Sequence, residues 1–202
     1  MVLVNDGGVP PSIDDDYPLD VVRIDLEPSR GRAGAANAGI AAAHGDWISF
    51  LDDDDLAEPE HLETLVGVAR AAGVRVAYTD AAVGIYELDP AHGWKLVERR
   101  LPYSRDFDPD LLLLDNYIPF NTLIMDASIL REAGPFDTEL EFFEDWDMLV
   151  RLAELLLPVA STSSVTVRSP SASWLRISRR RGTPRMRKRV ATDSRFCGFR
   201  AV

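Results

Sequence analysis

The pattern of apolar and polar positions predicts strands that alternate with helices along the first half of the chain. Short apolar runs bounded by turn residues predict strands at 1–4, 21–26, 46–51, 74–80 and 121–125. Apolar residues at helical spacing predict helices at 35–44, 59–72, 128–133 and from the 141–147 segment to about 157. Two further alternating runs, at 83–88 and 94–98, predict a β-hairpin. We therefore expect an α/β fold, with a mostly parallel sheet, flanking helices and one antiparallel hairpin.

Turn-forming and capping residues set the predicted ends of these helices. Gly45, Gly73 and Gly134 each follow a helical pattern, and glycine is the favoured residue just after a helix. Ser128 is expected to cap the start of the helix at 128–133. Pro158 is expected to stop the last helix, because proline has no backbone N–H to donate.

Four consecutive aspartates, Asp52 to Asp55, follow the apolar run at 47–51 and precede the second predicted helix. Like charges packed this closely repel one another, and a hard divalent cation with oxygen ligands offsets that repulsion. The loop is predicted at the carboxyl end of a strand, where ligands of α/β proteins bind. An EF-hand calcium loop is excluded, because Leu56 and Ala57 occupy positions that require an oxygen ligand and a glycine. A solvated acidic loop remains the alternative.

Composition narrows the functional class. The chain has 202 residues, of which 46% are hydrophobic and 27% charged, as expected for one globular domain. Its single cysteine excludes a disulfide framework and a multi-cysteine zinc site. We see no basic-then-apolar signal peptide and no apolar run of roughly 18 residues that would span a membrane. The interpretation is a cytoplasmic protein.

The net charge of −11 conceals two segments of opposite sign. Residues 1–160 carry 11 Lys and Arg against 32 Asp and Glu, whereas residues 161–202 carry 11 Lys and Arg against one acid. The acidic part would repel phosphates, so we expect no nucleic-acid partner. The basic part is rich in Ser, Thr, Pro and Arg, which favours a disordered tail. The alternatives are an arm that docks a partner or makes peripheral contact with the inner face of a membrane, and an out-of-frame translation product.

Several motifs follow one another in order between residues 2 and 157. They are Asn-Asp-Gly-Gly at 5–8, an Ala- and Asn-containing helix at 32–39 with His-Gly-Asp at 44–46, the aspartate run at 52–55, Gly-Pro-Phe-Asp at 134–137 and Glu-Asp-Trp-Asp at 144–147. Together they resemble the motifs of the family 2 glycosyltransferases, which use nucleotide sugars. The resemblance implies the GT-A fold, a Rossmann-like and mostly parallel sheet flanked by helices.

The resemblance also implies a donor site for a UDP-, GDP- or dTDP-sugar. The residues assigned to the nucleotide sugar are Asp6, Arg30, Arg32, Asn37, Asp52 and Asp53. Asp54 is assigned as the direct ligand of Mg²⁺ or Mn²⁺, which would neutralise the leaving diphosphate. The alternatives are a plain turn for Asp6, solvated charges for the two arginines, and helix capping or close packing for Asn37.

On the acceptor side, the resemblance assigns catalysis to Glu144 and Asp145. Asp145 would be the general base for an acceptor hydroxyl, which attacks the anomeric carbon opposite the nucleotide and inverts its configuration. Capping of a helix N-terminus is the alternative for both carboxylates. Trp146 is expected to pack in the core rather than stack on a sugar. The acceptor is expected to be a glycan, a lipid-linked or a protein hydroxyl, and its specificity is assigned to residues 81–120.

Two departures from the family pattern shape the domain prediction. The family's first strand is absent before Met1, and the sequence after Pro158 does not resemble the family. We interpret residues 1–160 as a GT-A domain with its first strand missing, and residues 161–202 as a basic tail. The predicted function is an inverting, metal-dependent glycosyltransferase of polysaccharide and cell-envelope biosynthesis. The alternative is a catalytically inactive remnant that acts as a binding module.

Overall fold

The computed structural model describes residues 1–14, 16–89 and 91–156, and the backbone of 167–179. The strands are β1 Val2–Asp6, β2 Val22–Leu26, β3 Trp47–Ile48, β4 Asp55–Ala57, β5 Val76–Asp89, β6 Gly93–Tyr103, β7 Leu123–Asp126 and β8 Val167–Arg179. The helices are α1 Gly31–Ala42, α2 His61–Ala72, α3 Pro109–Leu112, α4 Ala127–Ala133 and α5 Glu144–Leu156, and a 3₁₀ turn covers Phe120–Thr122. The predicted helix stop at Pro158 lies outside the described residues.

The described strands form two sheets. β1 and β2 pair in parallel, from Val2 opposite Val22 to Asp6 opposite Leu26. The other six strands form a sheet in the order β3-β7-β5-β8-β4, with β6 paired to β5. In that sheet β5 and β8 run parallel, whereas the other four pairings are antiparallel. The α/β class is confirmed, but the sheet is mixed rather than mostly parallel, because β6 and β7 both run against β5.

The predicted hairpin is present, and its first arm is longer than expected. β5 continues without a break from the run predicted at 74–80 into the run predicted at 83–88. It then pairs with β6 from Ala81 opposite Tyr103 to Asp89 opposite Gly93. β3, in contrast, covers two residues of the strand predicted at 46–51. The loop that leads to the aspartates therefore begins after Ile48, in the middle of the predicted strand.

Helix ends agree with the prediction where glycine adopts a positive φ. Gly73 ends α2 with φ of 65°, as predicted. Gly45 was wrong as the cap of α1, which ends at Ala42 with Ala43 as its C-cap. Ser128 was wrong as the cap of α4: the Asp126 side chain is the cap and accepts from Ser128 N at 2.7 Å. Hydrogen bonds from Ser128 hold the pKa of Asp126 below its usual range.

The main core lies between one face of the six-stranded sheet and α1, α4 and α5. Its centre is an aromatic trio, Phe50, Phe120 and Phe136, whose rings meet edge to face with centroids 5.0 to 5.8 Å apart. Residues of β7 alternate, so that Leu123 and Met125 face this core while the residue between them packs against α2 on the opposite face. This packing fixes the loop after β3 relative to the start of α5.

The backbone of β8 fills the space between β5 and β4. It pairs with β5 in parallel, from Ala77 opposite Val167 to Tyr86 opposite Arg179, and with β4 in antiparallel orientation. Of the segment interpreted as a basic tail, the described part is thus a strand inside the sheet, and the rest lies outside the described residues. None of the described helices has the length and apolar character needed to cross a membrane.

Candidate functional site

The acidic loop brings three carboxylates to one point. Oxygen atoms of Asp52, Asp54 and Asp55 lie within 4.8 Å of one another. Asp52 and Asp54 are exposed, whereas Asp55 is 7% exposed and accepts a hydrogen bond from Asn121 Nδ2. A turn from Asp55 N to Asp52 O at 3.2 Å holds the loop. These three carboxylates offer only oxygen atoms as ligands, and such ligands suit a hard divalent cation such as Mg²⁺ or Mn²⁺.

Asp54 lies in this cluster, as the sequence led us to expect, and Asp55 adds to it. Asp53 is exposed on the same loop and lies outside the cluster. Sequence reasoning missed Asp55 as a candidate ligand, although it belongs to the same aspartate run. Its partner Asn121 lies much later in the chain, and no local pattern connects it with the loop.

Arg32 joins the acidic loop to the start of α5. Its Nε lies 3.0 Å from Glu144 Oε1, and its Nη2 lies 3.9 Å from Asp52 Oδ2. The Glu144 side chain is 4% exposed, whereas that of Arg32 is 68% exposed. Glu144 lies in the first turn of α5, where the helix dipole favours an anion. One guanidinium therefore spans a carboxylate cluster suited to a metal and the predicted catalytic pair.

The first turn of α5 is held by several hydrogen bonds. Asp145 is half-buried, and its Oδ1 accepts from Trp146 N at 2.7 Å. Trp146 Nε1 donates to the carbonyl of Leu112 at 2.7 Å. Arg151 donates to Asp147 Oδ2 at 2.6 Å one helical turn further on. These contacts fix the direction in which the start of α5 presents Asp145.

Asp6 and Arg30 connect the end of β1 with the start of α1. The Asp6 carboxylate accepts from Ser29 Oγ at 2.7 Å and from Arg30 N at 2.6 Å. The Arg30 side chain is exposed, and its stem packs so close to Gly34 that a Cβ there would lie 2.5 Å from Arg30 Cβ. Asp6 thus orders the start of α1, and each of its oxygens keeps a second lone pair for a ligand.

Asn37 is engaged with the backbone of Phe136. Its Nδ2 donates to Phe136 O at 2.9 Å, and its Oδ1 accepts from Phe136 N at 2.8 Å. Both polar groups of the amide therefore hold α1 against the loop that precedes α5. This geometry supports the close-packing alternative for Asn37.

His61 is a buried titratable group close to the acidic loop. It is the first residue of α2 and is 1% exposed. Burial lowers its pKa to about 4, because the charged imidazolium loses its hydration. His61 is therefore neutral at physiological pH, and it adds no positive charge beside the aspartates.

Comparison with known proteins gives several relatives that are named as glycosyltransferases. The uncharacterised glycosyltransferase YwdF of Bacillus subtilis is 29% identical over 158 residues, which cover 76% of this chain and 57% of the relative. A pre-mycofactocin glycosyltransferase of Mycobacterium tuberculosis is 28% identical over 167 residues, covering 76% of this chain and 34% of the relative. The chain thus spans a third to somewhat over half of the length of these curated relatives.

Solved structures give the same fold. S. aureus TarS residues 1–349 in complex with UDP superposes with a TM-score of 0.59 at 17% identity, covering 88% of this chain and 50% of that one. GalNAc-T7 with UDP, GalNAc and Mn²⁺ superposes with a TM-score of 0.58 at 14% identity, covering 90% and 38%. The family model described as glycosyl transferase family 2 matches residues 1–130, more than half of the chain. The protein therefore belongs to glycosyltransferase family 2 and has the GT-A fold.

Proposed function

We propose that this protein transfers a sugar from a nucleotide-diphosphate sugar to an acceptor hydroxyl, with inversion at the anomeric carbon and with a divalent metal ion. The observation that carries the proposal is the Arg32 bridge between the aspartate cluster and the start of α5. It supports the proposal, because a metal and diphosphate at the aspartate cluster would lie beside a candidate base at the start of α5. The donor class is supported by the structural neighbours, which were solved with UDP in one case and with UDP, GalNAc and Mn²⁺ in the other.

On the donor side, the acidic loop and the start of α1 would bind the nucleotide sugar. When bound, Mg²⁺ or Mn²⁺ would be held by Asp52, Asp54 and Asp55 and would offset the charge of the leaving diphosphate. The exposed Arg30 guanidinium would attract the diphosphate by charge-assisted hydrogen bonds. Asp53 and Asp6, the latter through its remaining lone pairs, would accept hydrogen bonds from ribose or base.

On the acceptor side, Asp145 would remove the proton from the acceptor hydroxyl. The acceptor oxygen forms a bond to the anomeric carbon while the bond from that carbon to the phosphate oxygen breaks. The nucleoside diphosphate leaves with the electron pair, and the proton stays on the Asp145 carboxyl. This single displacement inverts the anomeric configuration and needs no covalent intermediate. Glu144 is buried against Arg32 and acts as a positioning residue for the first turn of α5.

A titration of UDP-sugars and GDP-sugars with and without Mn²⁺ tests the proposal. We expect the wild-type chain to bind one donor class in a Mn²⁺-dependent manner, and Asp54→Asn to weaken that binding at least about tenfold. Glu63→Gln, which removes an exposed carboxylate on α2 instead, should bind like the wild type. If no donor binds in a metal-dependent manner, the chain is an inactive remnant and the enzyme proposal is refuted.

A further inference from the structure

Four large apolar side chains are exposed on two loops that meet at Trp146. Their exposed fractions are 62% for Leu113, 80% for Leu114, 68% for Phe142 and 64% for Phe143. Trp146 contacts the Phe143 ring edge to face at 5.9 Å, and its Nε1 donates to the carbonyl just before Leu113. We call these four residues and Trp146 the apolar rim. A single exposed leucine is ordinary, whereas a group of exposed apolar side chains in one place marks an interaction site.

Phe143 is held in a conformation that its own chemistry disfavours. Its φ of 66° lies in the left-handed region, which is unfavourable for a non-glycine residue. Its carbonyl accepts from Asp147 N at 2.9 Å, so Phe143 is at the N-cap position, where Ser, Thr, Asp or Asn is preferred. Burial does not compensate, since most of the ring is exposed. A residue that breaks local rules without a gain in packing points to a functional site.

The apolar rim is continuous with the proposed base. Phe143 lies two residues before Asp145, and Trp146 follows it directly and donates its N–H to Asp145 Oδ1 at 2.7 Å. An acceptor whose hydroxyl reaches Asp145 would therefore have the rim beside it for its remaining atoms.

The charge around the rim limits the chemistry of that acceptor. Residues 137–147 contain six Asp and Glu and no Lys or Arg. Two of the six, Glu144 and Asp147, are paired with Arg32 and Arg151, which leaves an excess of negative charge. A group that carries phosphate would be repelled there, whereas an uncharged group would not. We propose that the acceptor is an uncharged amphipathic glycoside, with its reacting hydroxyl at Asp145 and an alkyl or aryl aglycone on the apolar rim. This inference rests on the proposed function and adds the acceptor class.

Binding of two neutral glucosides to the full 202-residue chain tests the proposal without donor or metal. Octyl β-glucoside, below its critical micelle concentration, and methyl β-glucoside are compared by saturation-transfer NMR and by calorimetry. They share the sugar and differ in the aglycone. Burial of only two additional methylenes gives roughly a tenfold gain in affinity, so we expect octyl glucoside to bind at least about tenfold more tightly.

The variant Phe143→Gly tests the contribution of the aromatic ring to binding separately from its effect on stability. Glycine adopts a positive φ without strain, so the unfolding midpoint of this variant should not fall, while its preference for octyl glucoside should drop at least about fivefold. The matched control is Val22→Ser, which removes an exposed valine from β2 and should keep the wild-type preference.

Three results would overturn the proposal. They are equal binding of the two glucosides by the wild type, an unchanged octyl preference in Phe143→Gly, and an equal loss of that preference in Val22→Ser. Binding to phosphatidylcholine vesicles that depends on Phe143, without a preference between the glucosides, would also overturn it and would make the rim a membrane-docking surface. Failure of metal-dependent donor binding would refute the proposed function instead, because the glucoside measurement uses neither donor nor metal.

Discussion

Replacing Arg32 by glutamine removes the cation from a buried carboxylate. The Glu144 side chain is 4% exposed and Arg32 Nε lies 3.0 Å from its Oε1. Its second oxygen, Oε2, is buried and has no hydrogen-bond partner among the described residues. In Arg32→Gln, Glu144 therefore stays charged and buried, without the guanidinium that offsets the loss of its hydration.

The magnitude lies between two limits. Removing one partner of a fully buried ion pair costs about 3–5 kcal/mol, whereas fully exposed pairs contribute about 0–1 kcal/mol. Here the carboxylate is buried and the guanidinium is 68% exposed, so water already screens part of the interaction. We expect Arg32→Gln to lower the free energy of unfolding by about 1–2 kcal/mol at pH 7.

The double variant gives the sharper test. In Arg32→Gln/Glu144→Gln the buried charge is absent, so the second substitution should restore about 1 kcal/mol of the stability lost in the first. Urea unfolding followed by circular dichroism measures both changes, provided that the m-value stays constant. The control is Arg99→Gln, whose partner Glu58 lies at 3.5 Å with 41% of its side chain exposed and whose loss should cost less than about 0.5 kcal/mol. The reasoning is refuted if Glu144→Gln destabilises the Arg32→Gln background, or if Arg32→Gln costs no more than the control.

Three further predictions concern the catalytic, metal-binding and titratable groups. Asp145→Asn should keep donor affinity by calorimetry and lower the transfer rate about 10²- to 10⁴-fold; an equal loss of both would give Asp145 a structural role. Asp55→Asn should retain the folded circular dichroism spectrum and lose at least about tenfold of the Mn²⁺-dependent UDP affinity, and unchanged affinity would exclude it as a ligand. His61 has a pKa of about 4 in the fold, below the usual 6.5, so the unfolded chain takes up the proton first and stability falls as pH drops from 6.5 to about 4. Over that window the loss should reach about 3 kcal/mol, and His61→Leu should show a correspondingly smaller decrease in urea titrations at pH 7 and 4.5.

The sequence predicts those parts of the fold that local chemistry decides. Gly73 ends α2 because a positive φ favours glycine, and the β5–β6 hairpin follows from two alternating runs around a turn. Strand direction was harder to predict. β7 runs against β5 and β8 lies beside it, and both pairings join segments far apart in the chain. The cap of α4 depended on whether Asp126 or Ser128, two residues apart, occupies the N-cap position, which composition does not resolve.

In the candidate site too, local features could be predicted from the sequence, whereas contacts between distant residues could not. The aspartate run indicated a metal site, because close like charges need a cation, and three of its members do converge. What could not be predicted is the support from distant residues. Asn121 holds Asp55 and Arg32 holds Glu144, and each contact exists only after the fold brings the partners together. Asn37 is a third example, since its position in a motif could not reveal that its amide binds the backbone of Phe136.

The division into two sheets has a consequence for how the protein opens. A ladder of hydrogen bonds makes the strands of one sheet open together, so β1 and β2, with their own small core of Val2, Val4 and Leu26, form a cooperative unit of their own. Amide protons of β2 should exchange with solvent sooner than those at the centre of β5. A donor that touches both the Asp6 turn and the acidic loop would couple the two units. Slower amide exchange in β2 after a donor is added would then show that the donor site is occupied, although β2 itself does not contact the donor.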